Sequence, residues 1–440
     1  MRHYVVVGSG VAGLSAAEVL RERDPGATIS LIYEEPHSFY SRPGLAYLLA
    51  DLVPEEQLFA RTQAELRDLR LNWIHARAAQ LLPEAHQVVL SNGQGLTYDR
   101  LLIATGSTAV PPDFPGGDLA GVVKFDNLDD ARRILKLAGR GRTAVVIGGG
   151  ITALELVEGL RARGVRTHYF LRGDRYWANV LDEAESHIVE ERLKAEGVVI
   201  HYRTEMQAAL GRKKTLAGVE TTTGEKLPCH ILGVAIGVRP RLELAQPAKL
   251  KLDRGILVDE FLRTSAPDVF AAGDVAQVRD PRSGRAILDT LWSTALAQGR
   301  AAGANMAGAE VPYVKQVALN VTQLAGLMTT IIGAVGSGGR DQDQVTISRG
   351  NSEAWSLLPQ AQVIVEKHDV NRVRLLVGER TLVGAVVMGD QTLSRPLHRL
   401  IAEQADITPI RAALVANPAS AITLISDFTK WERDHDTPAH

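Results

Sequence analysis

A short glycine-rich pattern occurs twice in the chain and constrains its fold more than any other feature. One run of β-branched residues leads into Gly8-Ser9-Gly10-Val11-Ala12-Gly13, and a second leads into Gly148-Gly149-Gly150-Ile151-Thr152-Ala153. Each copy is followed by a helical pattern and then by another strand-like run. This order of strand, glycine turn, helix and strand predicts two parallel βαβ units in one chain.

Glycine turns in this position are typical of dinucleotide-binding sites. In the first motif, Gly8 allows a sharp turn, Gly10 lets the backbone approach a pyrophosphate, and Gly13 lets the helix pack on the strand. The free N–H groups at the start of the helix then face the phosphates, and Ala12 belongs to the same predicted site. The second motif predicts equivalent contacts from Gly148, Gly150, Ile151, Thr152 and Ala153.

The strand after the first helix predicts the residue that binds the first ribose. An acid is expected about 20 residues beyond the last glycine of the motif. Glu34 lies close to that spacing after Gly13, and Glu35 beside it is the alternative. A solvated loop carboxylate is the competing interpretation of Glu34.

The corresponding position of the second unit carries no acid. Leu171 stands there, with Arg172 next to it and Arg175 three residues further on. An arginine suits a 2′-phosphate, whereas a carboxylate suits a free 2′-hydroxyl. The second site therefore leans towards NADPH over NADH. The alternative is that both arginines are surface charges and that Asp174 binds the ribose.

The order of the motifs predicts three domains, with one inserted into another. The first dinucleotide-binding domain comprises 1–118 and 252–316, and the second, 119–251, lies between those two segments. Residues 317–440 are predicted to form a separate α+β domain without a glycine-rich phosphate loop. Its strands mostly alternate, so one face of the sheet is expected to meet solvent or another subunit, which fits a homodimer.

Composition excludes several classes of protein. The 440 residues carry 49 Lys and Arg against 51 Asp and Glu, a net charge of -2, so neither nucleic acid nor an anionic membrane is an expected partner. The single cysteine, Cys229, excludes a disulfide framework and a redox-active cysteine pair. Scattered histidines give no metal-ligand spacing, so no metal is expected. We expect a cytoplasmic protein without a secretion signal or membrane span.

Further segments resemble the two-dinucleotide-binding-domain flavoproteins of the pyridine nucleotide-disulfide oxidoreductase superfamily. The resemblance is carried by 98–106, 235–240 and 264–274 together with the two glycine motifs. It implies an α/β fold with an NAD(P)-binding domain inserted in an FAD-binding domain, followed by the α+β domain. It implies FAD and NAD(P)H as cofactors, with contacts at Ala78, Thr105, Gly106, Gly237 and Asp274. For Asp274 alone, a helix N-cap is the competing interpretation.

The segment after the first ribose acid separates branches of this superfamily. Thiol enzymes carry their reactive cysteine there, and 38–47 holds none. The stretch Tyr40-Ser41-Arg42-Pro43-Gly44-Leu45 is instead similar to that of ferredoxin and rubredoxin reductases and of nitrite-reductase flavin domains. The resemblance places Arg42 against FAD, with a solvated surface arginine as the alternative.

One position departs from the ferredoxin-reductase pattern. Those relatives pair a lysine with a glutamate near flavin N5; the glutamate matches Glu155, but the lysine position holds Tyr47. Glu155 is the predicted catalytic residue, and three roles are open for it. The first is a protonated carboxyl group, the second is a contact with Arg42 or another donor, and the third is a contact with the nicotinamide amide.

A helix of small residues is predicted within 288–306, and in the family it runs under the flavin ring. Its dipole would stabilise negative charge on the reduced flavin. Leu291 and Trp292 are predicted to line the edge of the ring, with plain core packing as the alternative for Trp292.

The combined features predict an FAD-dependent NAD(P)H oxidoreductase. Hydride would pass from the nicotinamide to FAD, and electrons would then pass to an external acceptor, because the chain has no redox-active thiol pair. A ferredoxin, a rubredoxin, a nitrite-reductase-type partner, a quinone-like molecule and oxygen are the candidate acceptors. A peroxide-forming oxidase and a flavin-bearing redox sensor are the alternatives.

Overall fold

The structure is a computed structural model that describes residues 1–336, 347, 349–356, 360–368 and 371–435. The described α-helices, in chain order, are α1 Val11–Arg23, α2 Gly44–Leu49, α3 Gln63–Asp68, α4 Leu128–Leu137, α5 Ile151–Ala162, α6 Glu183–Ala195, α7 Trp292–Met306, α8 Ser394–Glu403, α9 Thr408–Ala416 and α10 Ala421–His435.

The first eleven described strands are β1 His3–Val7, β2 Thr28–Tyr33, β3 Asn72–His75, β4 Ala78–Leu82, β5 Gln87–Leu90, β6 Gly95–Thr97, β7 Arg100–Ile103, β8 Ser107–Ala109, β9 Val122–Lys124, β10 Thr143–Ile147 and β11 Arg166–Phe170. The described strands that follow are β12 Val199–His201, β13 Met206–Arg212, β14 Thr215–Thr221, β15 Lys226–Pro228, β16 Ile231–Val234, β17 Val238–Pro240, β18 Ile256–Leu257, β19 Val269–Ala271, β20 Ala276–Arg279, β21 Ala286–Ile287, β22 Leu319–Leu324, β23 Leu327–Gly333, β24 Gln362–His368, β25 Asn371–Val377 and β26 Leu382–Met388.

The described residues form two compact units. The first contains Met1–His168, Met206–Lys315, and Ile347 with Arg349 and Gly350. The second contains Tyr169–Glu205 and the described residues of 316–342 and 351–440. The domain boundaries predicted from the sequence, at 118, 251 and 316, stay predictions.

The first sheet of the first unit has the order β19-β7-β1-β2-β3, and its neighbouring strands are parallel. The run Tyr4–Val7 in the central strand β1 is buried, as expected for a parallel strand covered on both faces. The chain leaves this sheet after β7 and returns at β19. The predicted insertion of one dinucleotide-binding fold into another is therefore confirmed.

A second parallel arrangement in the same unit is built on β10. This strand pairs with β16, which in turn pairs with β9, and helix α5 follows β10 directly. Both predicted βαβ starts, β1 with α1 and β10 with α5, are thus present. The predicted α/β class is confirmed.

The second unit contains an antiparallel sheet of order β22-β23-β26-β25-β24. Apolar side chains of its central strands pack against α8, α9 and α10, and Leu375, Val387, Leu397, Leu400 and Ile425 belong to this core. The predicted C-terminal α+β fold is confirmed.

The expectation that one face of this sheet meets solvent or another subunit is wrong for strand β25, which lies between β26 and the edge strand β24. Arg372 and Arg374 alternate with the apolar residues of β25, and both are buried. Arg374 Nε donates to Glu185 Oε1 at 2.8 Å, and Arg372 forms an ion pair with Asp182. Residues from before and within α6 therefore cover this face inside the same unit. The sequence pattern could not show that cover, because it comes from a distant segment.

Candidate active site

The first glycine turn leaves open space at the start of α1. Gly8 has φ +114°, and a Cβ added there would lie 2.2 Å from the carbonyl oxygen of Ala104. A Cβ on Gly13 would lie 1.9 Å from the oxygen of Gly8, so both positions require glycine. A Cβ on Gly10 would meet nothing within 4 Å. The turn is tight against protein on two sides and open where a pyrophosphate would approach, so its shape fits a dinucleotide.

The second glycine turn is also tight against protein at its first glycine and open at the next one. Gly148 has φ +138°, and its added Cβ would lie 2.1 Å from the oxygen of Ala235, whereas a Cβ on Gly149 would meet nothing within 4 Å. Gly150 is the N-cap of α5, and no side chain caps the first N–H groups of this helix. Ile151 and Ala153 are buried, and Thr152 is partly buried in the first turn of α5. The residues present fit a second pyrophosphate at this helix start.

The two candidate ribose acids differ in their surroundings. Glu34 is 56% exposed, and its carboxylate lies 3.2 Å from the guanidinium of Arg241. Glu35 instead accepts a hydrogen bond from Tyr40 Oη at 2.7 Å and forms an ion pair with Arg42. Glu34 is thus at the surface, as a ribose ligand requires, while Glu35 is occupied by its neighbours. The ribose role of Glu34 remains a prediction.

Arg42 is bonded to protein on one side and is not fully solvated. Besides its ion pair with Glu35, it donates from Nη1 to the carbonyl oxygen of Asp126 at 2.8 Å. Its side chain retains 32% exposure. A guanidinium held on one side and accessible on the other can bridge a ligand's phosphate or ribose oxygens.

The second FAD motif lies directly after β19. Asp274 accepts a hydrogen bond from Ser107 Oγ at 2.7 Å, and burial raises the pKa of its carboxyl group. The amide N–H of Gly273 donates to Gln298 Oε1 at 2.8 Å. The element that follows Asp274 is strand β20, so the helix N-cap alternative is wrong.

Other predicted contacts lie at ends of strands in the first unit. Thr105 Oγ1 donates to the oxygen of Arg241 at 3.1 Å, and Gly106 has φ +68°. Ala78 begins β4 and packs on the core beside the first sheet. Gly237 has φ +116° and lies between strands β16 and β17.

The small-residue helix α7 packs closely on α1. A Cβ on Gly299 would lie 2.2 Å from the oxygen of Ala12, so only glycine permits this approach. Leu291 is the buried N-cap of α7, and Trp292 begins the helix with its ring centroid 5.9 Å from that of Phe39. Packing thus accounts for much of the position of Trp292. The flavin-edge role of both residues stays a prediction.

Glu155 lies on α5, which contacts α2. Its side chain is partly buried, and no described residue forms a hydrogen bond or ion pair with it. Burial raises the pKa of Glu155 to about 7, and the positive charge of Arg349 opposes that rise. No hydrogen bond from Tyr47 to Glu155 is present among the described residues. Because Arg42 is engaged with Glu35 and Asp126, it is not the donor to Glu155.

The arginines predicted to choose the nicotinamide dinucleotide lie in the second unit. Arg172 is exposed. Arg175 lies 3.4 Å from Asp174 Oδ1 and donates to the oxygen of Ala178 at 3.4 Å. Both stay predicted NAD(P)H-binding residues.

Comparison with known proteins identifies the family. The model of the family described as pyridine nucleotide-disulphide oxidoreductase matches residues 2–299. The chain belongs to this family. Within the described residues of this pyridine nucleotide-disulphide oxidoreductase, no group of acidic, histidine and cysteine side chains could hold a metal ion. No described helix is long and apolar enough to cross a bilayer.

Two relatives and one solved structure resemble this pyridine nucleotide-disulphide oxidoreductase over most of its length. It is 34% identical over 317 residues to the ferredoxin–NAD(+) reductase component of an anthranilate 1,2-dioxygenase system from Burkholderia cepacia, covering 71% of this chain and 77% of that protein. It is 25% identical over 424 residues to the epsilon subunit of NADH-dependent phenylglyoxylate dehydrogenase from Aromatoleum evansii, covering 94% and 95%. The crystal structure of a covalent putidaredoxin reductase–putidaredoxin complex matches with a TM-score of 0.84 at 22% identity, covering 98% and 99%.

The family and these relatives make the chain an oxidoreductase that uses FAD and NAD(P)H. When bound, FAD supplies the conversion between hydride transfer and single-electron transfer. The two open glycine turns and the anchored Arg42 are the parts of this chain that fit the nucleotides.

The structure adds two charged residues that the sequence analysis missed. Asp126 is 1% exposed and follows β9. It forms an ion pair with Arg349, which lies far from it in the sequence. Neither residue lies in a recognisable motif. Their only sequence signal is their charge, so no pattern could have paired them.

Proposed function

We propose that this chain is an FAD-dependent NAD(P)H reductase whose electron acceptor is a small redox carrier protein. The observation that carries the proposal is that the chain offers no thiol to take the electrons. In 38–47, where thiol enzymes of the superfamily hold a reactive cysteine, the chain places Tyr40 and Arg42, both bonded to Glu35. An acceptor outside the chain is therefore required.

The single cysteine cannot replace a redox-active pair. Cys229 is 2% exposed, and burial raises the pKa of its thiol to about 12. The thiolate is the reactive form of cysteine, and at neutral pH almost none is present at such a pKa. Cys229 therefore packs as a small apolar side chain.

The residues of the first unit supply binding and proton control. The starts of α1 and α5 offer N–H groups to two pyrophosphates, and Arg42 is fixed in place by Glu35 and by the oxygen of Asp126. We propose that Asp274, which accepts a hydrogen bond from Ser107, also accepts hydrogen bonds from hydroxyl groups of FAD. Glu155 has a pKa near neutrality, so it can hold or release a proton at working pH.

The relatives support a protein acceptor. One is named as a ferredoxin–NAD(+) reductase component, and one matching structure is a reductase joined to putidaredoxin. A second candidate function is that of a subunit of a larger enzyme, in which this chain would exchange electrons with the other subunits. The match over 94% of this chain to the epsilon subunit of a dehydrogenase favours that candidate.

Steady-state oxidation of NADH and NADPH by the purified flavoprotein tests the proposal. The acceptors are a [2Fe–2S] ferredoxin, a rubredoxin, ferricyanide and dioxygen, each assayed alone. We expect turnover with a protein carrier at least tenfold faster than with dioxygen. Turnover confined to dioxygen with stoichiometric peroxide would establish an oxidase instead. Slow turnover with every acceptor would favour the sensor or the subunit of a larger enzyme.

A cysteine-free variant provides the matched control. Cys229→Ala removes the only thiol. Because the proposal uses no thiol, the variant is expected to reduce the carrier at the wild-type rate. A loss of carrier reduction in a variant that folds and retains FAD would contradict the thiol-free route.

Three finer features are part of the proposal. We propose a preference for NADPH, supported by Arg172 being exposed and by the absence of an acid at Leu171. The kcat/KM values for NADPH and NADH in wild type and Arg172→Gln measure it, and equal values in wild type would refute it.

We also propose a cytoplasmic homodimer; light scattering of the purified protein measures its mass.

A further inference from the structure

A short stretch near residue 350 is bonded into the first unit at two points. Ile347 and Val238 exchange backbone hydrogen bonds of 2.8 Å and 3.3 Å, and the N–H of Gly350 donates to the oxygen of Thr290 at 3.0 Å. Val238 begins β17, directly after Gly237. Thr290 directly precedes the N-cap of α7. Arg349 is therefore held between the predicted nicotinamide side and the start of the helix expected under the flavin ring.

The side chain of Arg349 converges with Arg42 on one residue. Arg349 Nη1 donates to the carbonyl oxygen of Asp126 at 2.6 Å, and Arg42 Nη1 donates to the same oxygen at 2.8 Å. Arg349 also forms an ion pair with the Asp126 carboxylate, which accepts from Thr108 Oγ1 at 3.1 Å as well. The buried carboxylate thus fixes the guanidinium of Arg349 beside the predicted FAD ligand Arg42.

Two further carboxyl groups lie within the electrostatic reach of Arg349. Burial raises the pKa of both Glu155 and Asp274, and the charge of Arg349 is the largest opposing influence at each. Glu155 and Asp274 are the residues predicted to lie near the flavin ring and its ribityl chain. The position that carries a lysine in ferredoxin reductases holds the uncharged Tyr47.

We propose that Arg349 is a further residue of the flavin site, where its guanidinium, fixed by Asp126, supplies the positive charge that the lysine supplies in ferredoxin reductases. The proposal rests on FAD being the bound cofactor and is independent of which acceptor the enzyme uses. Arg349 comes from the sequence region predicted as the C-terminal domain, so that region contributes to the redox site. Arg349 acts through its positive charge and takes no part in covalent chemistry.

A fixed positive charge near a flavin favours its reduced, negatively charged form. Removing the charge at Arg349 is therefore expected to weaken the preference for reduced FAD about tenfold. For a two-electron couple, that change lowers the midpoint potential by about 30 mV. A residue that only supports the fold would leave the potential of retained FAD unchanged.

The test uses the purified flavoprotein with the variants Arg349→Gln and Arg349→Lys. The readouts are the midpoint potential against reference dyes, the visible spectrum of bound FAD, and the dissociation constant for FAD. We expect Arg349→Gln to lower the potential and Arg349→Lys to restore most of it. Arg380→Gln is the matched control, because Arg380 is 72% exposed and pairs only with Asp406 among the described residues.

An unchanged potential and spectrum in Arg349→Gln would overturn the proposal. If the glutamine variant does not fold, Arg349→Met removes the charge while keeping an aliphatic chain, and the same criterion applies. The potential is measured without any carrier protein. A negative result here and a failure of the proposed carrier function can therefore be told apart.

Discussion

Glu155 gives the sharpest prediction, because its protonation state couples the candidate site to the stability of the fold. Burial raises its pKa from 4.5 to about 7 in the folded chain. Between these two values the folded protein keeps the proton and the unfolded chain has lost it. The folded state binds more protons, so the free energy of unfolding falls as pH rises through this interval.

The magnitude follows from the shift. One pKa unit corresponds to about 1.4 kcal/mol, so ionisation of Glu155 costs the folded state about 3 kcal/mol above pH 7. Glu155→Gln abolishes the titration. Relative to wild type, we expect the variant to gain stability as pH rises from 4.5 to 7, and to gain nothing further above that.

The assay is urea denaturation of the flavoprotein at half-unit steps from pH 4.5 to 8.5. Glu22→Gln, on the exposed face of α1, reports the effect of losing a surface carboxylate. A difference between wild type and Glu155→Gln that is constant across this range would refute the reasoning. It would mean that water or another group solvates the carboxylate in the folded protein.

Three further substitutions test the packing and the cofactor crevice. Gly10→Val is expected to lower FAD affinity at least tenfold with little change in apoprotein melting temperature, because its side chain points into open space; equal losses of both would contradict this. Gly299→Ala brings a methyl group against a backbone oxygen of α1 and is expected to cost about 1–3 kcal/mol in denaturation, whereas Gly139→Ala, with no atom within 4 Å, is expected to be neutral. Arg374→Met removes the 2.8 Å partner of the buried Glu185 carboxylate and leaves it the longer 3.6 Å contact with Arg372 Nε, so it is expected to cost about 3 kcal/mol, most of which the added Glu185→Met restores.

The two dinucleotide folds were predictable because each depends on a local steric requirement. Gly8 and Gly148 adopt positive φ against a neighbouring backbone oxygen, and only glycine tolerates that arrangement. Such a requirement leaves a mark at fixed spacing in the sequence. The return of the chain to the first sheet was predictable for the same reason, since the motif ending in Asp274 is also local.

The charged surroundings of the site were not predictable from local patterns. Asp126 meets Arg349 across more than two hundred positions, and no periodicity connects them. The buried face of β25 was missed for a similar reason, because alternating arginines normally indicate solvent. Here Asp182 and Glu185 neutralise them inside the unit. Pairing of distant charges depends on the fold, so it becomes visible only in three dimensions.

The distribution of charge in the first unit explains why Glu155 is the titrating group. Arg42 is neutralised by Glu35, and Arg349 is bonded directly to Asp126, whose pKa it helps to hold below its usual range despite burial. Glu155 receives only the more distant influence of Arg349, and no described side chain bonds to it. A lysine at position 47 that bonded directly to Glu155 would hold it ionised, whereas the charge of Arg349, which is not bonded to Glu155, only partly opposes the effect of burial on its pKa. With tyrosine there, the charge beside the flavin site follows pH. The uptake of a proton by reduced FAD already makes the redox potential fall with pH, and near pH 7 this fall should be steeper in wild type than in Glu155→Gln.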